Sequence, residues 1–269
     1  MTSQSNSQDS AQGLPNTDLQ GLFDRDPAEA TKLLDASKQY GFFYLDFRTI
    51  SKSKTVLSLI NQIYRFEEEL FSLPQDYLMK YDVDEIGYMK LNGYKPKGRN
   101  FGHGVLGLSD EPYYRPPIFD ENMPMLKAYM LAMQEATASI HDALSRALGL
   151  QVGRRLEEFH RPDRASPCIL RLLKYHPQPA EERGASGTPH TDLGSLTILF
   201  TKQPGLQVLR KGCDKWEYVE PRAGHAIMNI GDGMSLLTNG LLHSSLHRVA
   251  PPPGQAVTTR YSFASTQIL

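Results

Sequence analysis

Three residues in the second half of the chain have the types and spacing of a metal site: His190 and Asp192 in TPHTDLGSLTILF, and His247 in SSLHRVA. In a strand, residues two apart share a face, so a strand entrance at 190–192 turns an imidazole and a carboxylate the same way. His247 lies 55 residues after Asp192, inside another β-rich run. Two neutral imidazoles and one carboxylate form the facial triad of non-haem Fe(II) sites. That arrangement leaves positions open for a bidentate cosubstrate and O2 on one metal. Each part also has a plainer reading. His-x-Asp arises often by chance and fits a surface turn, and a lone strand histidine fits a hydrogen-bonded core residue. The same donors would also suit a zinc hydrolase.

Arg260 and Ser262 in RYS are again two apart. On one strand face, a planar guanidinium fork beside a hydroxyl suits a carboxylate. An exposed alternating strand with a surface arginine is the plainer alternative.

These residues require a scaffold of strands. From Ile169 onward, short β-rich runs alternate with turn residues: 169–173, 196–200, 206–209, 216–219, 226–230, 234–238, 245–249 and 261–263. Eight short strands at even spacing predict a sandwich or barrel. The front half reads as helical. Asp26-Pro27 starts a helix that Gly41 stops, Phe42–Leu45 is a short aromatic strand, and Val56, Leu59, Ile60, Ile63 and Leu70 mark a second helix ended by Pro74. Residues 81–119 are rich in Gly, Pro and Tyr and read as irregular. Asp120 is expected to cap a third helix, closed by Gly149. The expected organisation is a disordered tail over 1–20 and a single domain over 21–269. Within that domain, 21–160 is mainly helical and 161–269 is the core that carries the metal site.

Lys plus Arg number 29 and Asp plus Glu 30, a formal charge of −1, which excludes a general electrostatic grip on nucleic acid or anionic lipid. No run approaches the length of a membrane span. The start, MTSQSNSQDSAQG, lacks the layout of a signal peptide, and two cysteines cannot build a disulfide framework. The expected location is cytoplasmic, with a small-molecule substrate, no nucleic-acid or membrane partner, and an oligomeric state the sequence does not specify.

Taken together, HTDLGSLTILF, GLQV, NIGDGMSLLTNG, LHRV and RYS resemble the Fe(II)- and 2-oxoglutarate-dependent dioxygenases, in the branch that includes isopenicillin N synthase. YGFFYL, LFSLP, GYKPKG and RLLKYHPQP in the front half resemble the same branch, so the resemblance spans about residues 22–266. It implies a double-stranded β-helix (jelly-roll) barrel, mainly β with flanking helices. It implies Fe(II) on His190, Asp192 and His247, with O2 as oxidant. It further implies 2-oxoglutarate as cosubstrate, its far carboxylate on Arg260 and Ser262 with Tyr175 adding a hydrogen bond, and ascorbate as an activator. Tyr175 reads equally well as an aromatic packed in the barrel wall. The implied activity is hydroxylation, desaturation or cyclisation of a small metabolite, in specialised metabolism, with release of succinate and CO2. An oxidase of the same fold without 2-oxoglutarate and a non-catalytic binding protein are the alternatives. No side chain is needed as a general base.

Tyr94, Arg99, Asn100, Phe101 and His103 are expected near the pocket mouth, with Val208 and Phe263 in its wall. His176 is a further loop histidine, and His243 and His225 are read as surface positions. Asn229 and Asp232 are read as scaffolding, and Arg248 as one half of an ion pair. Relatives of this kind run on beyond the RYS strand, so a closing lid is expected to be lacking from these 269 residues.

Overall fold

The computed structural model describes residues 13–86, 93–96, 103–106, 115–161, 168–177, 188–250, 252 and 258–268. The front half contains β1 (Asn16–Asp18), α1 (Leu19–Phe23), α2 (Pro27–Gln39), β2 (Phe42–Asp46), α3 (Ser53–Leu70), α4 (Gln75–Leu78) and α5 (Val83–Ile86). Next come β3 (His103–Leu106), α6 (Ile118–Glu121) and the long α7 (Met123–Ala147). The second half contains β4 (Ile169–Tyr175), β5 (Leu196–Thr201), β6 (Leu206–Leu209), β7 (Trp216–Val219) and β8 (His225–Ile230). It closes with α8 (Asp232–Leu237), β9 (His247–Val249) and β10 (Arg260–Gln267).

The strands form two sheets, a seven-stranded one in the order β1-β2-β8-β5-β10-β4-β3 and a three-stranded one in the order β7-β6-β9. Alternation along β2 shows how they pack. Phe42 and Tyr44 join Leu206, Val208, Val219 and Ile227 in a cluster between the two sheets. Phe43 and Leu45 point the other way, into a larger cluster with Leu33 of α2, Ile63 of α3, and Tyr129 and Ile140 of α7. The large sheet is thus covered on both faces, which is why all five residues of β2 are buried. Two sheets enclosing one core, with helices on the outer face, make the jelly roll that the sequence suggested.

Local chemistry explains several boundaries. The Asp26 side chain accepts the Ala28 N–H, and Pro27 opens α2. Gly41 follows α2 with φ of +66°, and a Cβ there would lie 2.1 Å from the His243 carbonyl oxygen. Only glycine allows that approach. Ser245 then donates to the Tyr40 carbonyl at 2.6 Å, so the end of α2 holds the segment that leads into β9.

Several expectations change. The run 234–238 is not a strand: α8 occupies 232–237, with Met234 buried and Leu236 81% exposed. A short apolar run does not separate strand from helix by periodicity. β9 starts at His247, because Ser245 is engaged with Tyr40. β10 is longer than expected, reaching Gln267. The third helix starts at Met123 after Asn122, and Asp120 belongs to α6. The expected disorder over 1–20 does not hold for 16–20: Asn16–Asp18 pairs with Tyr44–Asp46, and α1 follows directly. Residues 1–12 lie outside the described residues. The front half also contributes β1, β2 and β3 to the large sheet, of which only β2 was expected. No helix among the described residues is long and apolar enough to cross a membrane.

Candidate metal and cosubstrate site

His190, Asp192 and His247 converge, each offering one ligand atom within 4.8 Å of the others. Asp192 Oδ1 is 3.9 Å from His190 Nε2 and 3.8 Å from His247 Nε2. The backbone brings them together. Residues 190 and 247 form an antiparallel bridge with reciprocal hydrogen bonds of 3.1 and 2.9 Å, so both rings leave one short ladder on the same side. Gly231 lets the next turn close in, as its N–H bonds to Ser195 and the Asp232 N–H bonds to the Asp192 carbonyl at 2.7 Å.

The histidine tautomers follow from their partners. His190 Nδ1 donates to the Thr188 carbonyl at 2.9 Å, and His247 Nδ1 donates to the Ser245 carbonyl at 3.2 Å. A carbonyl only accepts, so Nδ1 carries the proton and each Nε2 keeps its lone pair toward the centre. The carboxylate is oriented in the same manner. Asn229 donates to Asp192 Oδ2 at 2.9 Å, leaving Oδ1 on the histidine side. Burial pushes the Asp192 carboxyl up, but the His247 ring, the Asn229 and Thr197 hydrogen bonds and the His190 ring together outweigh it, and the group sits below its usual range. Burial holds the His247 pKa below its ordinary value. A carboxylate beside two imidazoles that each turn Nε2 toward it is the donor set that suits a divalent transition metal.

Arg260 and Ser262 lie side by side on β10 and are both buried. Arg260 faces Tyr175 in register, and Ser262 faces Leu173. The guanidinium stands 4.9 Å from the Tyr175 ring centroid, and its Nε donates to the Gln203 carbonyl at 3.3 Å. Arg260 Nη1 and Ser262 Oγ are buried without a hydrogen-bond partner. Unpaired buried donors are costly in a finished core, and a carboxylate group would satisfy both.

Asn229, read from the sequence as scaffolding, contacts Asp192 directly, and Gln203, which no motif included, accepts from Arg260. Asn229 is a polar residue in the buried run HAIMNI, directly opposite Thr197 in the pairing of β5 with β8. A buried amide needs partners, and that was its available signal. Gln203 sits in an ordinary turn and left none. Asp232 has the scaffolding role expected, accepting the Thr191 hydroxyl at 2.8 Å.

Some of the other positions differ from expectation, whereas Val208 and His176 lie as the sequence reading had them, in the barrel wall and in an exposed loop. Phe263 does not face the barrel interior but packs among Tyr64, Tyr129 and Phe200 on the helix side. Val208 lies in the inter-sheet cluster. His225 is not turn surface: it opens β8 with Nε2 3.5 Å from Asp46 Oδ2. Among the described residues Arg248 has no ion-pair partner within reach; it stacks over Trp216 at 4.2 Å and donates to Gln207. His243 is half-buried, and its N–H bonds to Ser37. Tyr94 is bonded to the backbone of Tyr81 and Val83 beside the helix-side core. His103 is in β3, and His176 is exposed. Arg99, Asn100 and Phe101 lie outside the described residues.

The chain matches the 2OG-Fe(II) oxygenase superfamily over residues 166–267 and the N-terminal family of the non-haem dioxygenase in morphine synthesis over residues 14–124. It is 30% identical over 258 residues to 2-oxoglutarate-dependent dioxygenase FG08081 of Gibberella zeae, covering 90% of this chain and 75% of that one. It is 32% identical over 260 residues to 2-oxoglutarate-dependent dioxygenase gloE of Glarea lozoyensis, covering 93% and 78%. The chain belongs to the 2OG-Fe(II) oxygenase superfamily. Among solved structures, a full-length Neurospora crassa protein in complex with alpha-KG superposes on this oxygenase with a TM-score of 0.79 at 21% identity, covering 95% of this chain and 84% of that one. The oxygenase is therefore an Fe(II)- and 2-oxoglutarate-dependent dioxygenase, with Fe(II), 2-oxoglutarate and O2 as its cofactor, cosubstrate and oxidant.

Proposed function

We propose that His190, Asp192 and His247 hold the Fe(II), and that Arg260, Ser262 and Tyr175 anchor the far carboxylate of 2-oxoglutarate. The observation that carries this reading is the pairing of a convergent His-Asp-His centre with an arginine nitrogen and a serine hydroxyl that are buried and unpartnered. When bound, the iron supplies the oxidising chemistry, coupling decarboxylation of 2-oxoglutarate to succinate with oxidation of a C–H bond by O2.

The protein's part is ligation, orientation and exclusion of water. Thr188 and Ser245 hold the imidazole tautomers, and Asn229 aims the carboxylate. Gln203 and Tyr175 hold the guanidinium where a carboxylate completes its hydrogen bonds. No residue is required to act as a general base.

The substrate is a small organic molecule of specialised metabolism, which the enzyme hydroxylates, desaturates or cyclises in the cytoplasm. Three features support this reading. The formal charge is −1. An apolar inter-sheet core reaches His247 through Phe42, with ring centroids 5.4 Å apart. A structural neighbour is described with thymine bound. The same charge argues against a nucleic-acid partner. Anaerobic loading with Fe(II) and 2-oxoglutarate, followed by a metabolite screen scored by succinate release, tests the reading. Substrate-triggered succinate is expected, and oxidation of a substrate without 2-oxoglutarate consumption would overturn it.

A further inference from the structure

α3 lays a buried stripe against the large sheet at Val56, Ile60, Ile63 and Leu70. Glu67 occupies the remaining position of that stripe and is fully buried. Its Oε1 accepts the Leu173 backbone N–H at 2.7 Å, and its Oε2 is buried without a partner in hydrogen-bonding geometry. Leu173 is in register with Ser262, and Tyr175 with Arg260. The carboxyl therefore abuts the β4–β10 pair that carries the whole carboxylate pocket. A carboxyl at a core position is costly where an apolar side chain would complete the stripe. Such a cost points to a role beyond packing.

We propose that Glu67 is a positioning residue for the cosubstrate: as a neutral acid it ties α3 to β4 at Leu173 and leaves the Arg260 charge free for the far carboxylate of 2-oxoglutarate, and when ionised it competes for that charge. This inference rests on the assignment of Arg260 as the carboxylate anchor.

The charge balance gives the direction. With Glu67 protonated, Arg260 and an incoming carboxylate cancel. With Glu67 ionised, one negative charge is left over in a buried site, and binding weakens. Burial pushes the Glu67 carboxyl up to about 9, against the lowering influence of the Leu173 hydrogen bond, the Arg260 charge and the nearby Ser262 backbone N–H. Cosubstrate affinity is therefore level through neutral pH and falls as Glu67 loses its proton, and by linkage bound cosubstrate makes Glu67 hold its proton more tightly. Among the described residues, the other ionisable groups around Glu67 are Tyr64 and Glu68 on α3, Lys174 and Tyr175 on β4, Arg260 and Tyr261 on β10, Tyr129 behind Tyr64 on α7, and Lys202, whose ammonium stands over the Tyr64 ring. Burial raises Tyr64, Tyr129 and Tyr261 above the ordinary tyrosine value, so these three stay neutral across the range.

The test is anaerobic calorimetric titration of the Mn(II)-loaded full chain with 2-oxoglutarate at pH 7.0 and 9.5. Wild type is expected to bind about fourfold more weakly at pH 9.5, the ratio for a group near 9 that must be protonated. Glu67→Gln keeps an acceptor for Leu173 and removes the charge. It is expected to match wild type at pH 7.0 within about twofold and to show no Glu67-linked loss at pH 9.5. Glu67→Met, which completes the apolar stripe, should show the same flat response and guards against a folding artefact in the first variant. A wild-type pH response retained in both variants overturns the proposal, as does a loss of about tenfold or more at pH 7.0 in Glu67→Gln, which would show that the charge is required. An Arg260→Ala arm separates the two levels of inference. Undiminished 2-oxoglutarate binding in that variant overturns the anchor assignment itself. Weakened binding there, with an unchanged pH response in Glu67→Gln, overturns only the role of Glu67.

Discussion

Asn229 donates its side-chain amide to Oδ2 of Asp192 at 2.9 Å, which leaves Oδ1 facing the two histidines. Asn229 sits on β8 of the large sheet, and Asp192 precedes β5, the strand beside β8. The relationship thus crosses a strand pair that only the folded sheet creates. Removing the donor in Asn229→Ala should leave the carboxylate free to rotate and weaken metal binding by roughly 10–100-fold. Competition titration with a chromophoric chelator measures this, and an unchanged affinity would remove Asn229 from the site.

Asp192 and Arg260 should fail in different ways. Asp192→Ala removes the one anionic ligand, and metal content after dialysis against Fe(II) should drop to background. Arg260→Ala should retain its metal but raise the KM for 2-oxoglutarate by roughly 30-fold or more, as expected when one partner of a buried charge pair is truncated. Parallel metal analysis and succinate assays separate the two, and equal loss of metal in both variants would contradict the division of labour.

Gly231 tests how tightly the backbone is packed behind the centre. A Cβ there would lie 2.1 Å from the Gly194 carbonyl oxygen and 2.8 Å from that of Asp192. Both neighbours are backbone and cannot swing aside. Gly231→Ala should therefore lower the melting temperature by roughly 3–10 °C, the scale of an overpacked core in a chain of this size, and loosen metal binding with it. A scanning-calorimetry trace matching wild type would show that the turn has room to spare.

Away from the metal, His141 and His160 stack with ring centroids 3.8 Å apart. His160 also reaches Ser195 Oγ at 2.6 Å. Burial lowers both pKa values, and His160 lowers His141 further. In the unfolded chain both rings take up protons below about 6.5, while in the fold they resist, so stability contributed above that pH is lost as pH falls. The melting temperature of the metal-free protein should decline steadily from pH 7 to pH 5. His141→Phe, which keeps a stacking ring without the ionisation, should make that decline shallower. An identical slope in the variant would assign the acid sensitivity to other groups.

Much of the chemistry was legible in the residues themselves. His190, Asp192 and His247 have ligand-type side chains at strand spacing, and Arg260 and Ser262 share a face by simple alternation. The Arg260–Ser262 relationship is period-two, which a strand imposes wherever it lies, whereas 190–192 precede β5 and converge with His247 through an isolated bridge instead of strand alternation. The helix at Pro27 was likewise marked by its Asp26 cap, and the helix at Ser53 by apolar spacing alone. What tertiary structure alone decided are contacts between segments far apart in the chain. These include the 190–247 bridge, the Asn229 bond to Asp192, the hold of Gln203 on Arg260, and the placement of Glu67 against Leu173. It also decided that 232–237 coils into a helix and that β1, β2 and β3 enter the large sheet. The physical reason is that local propensity acts over a few residues, whereas each of these features depends on which surfaces are buried together and which polar groups must then find partners.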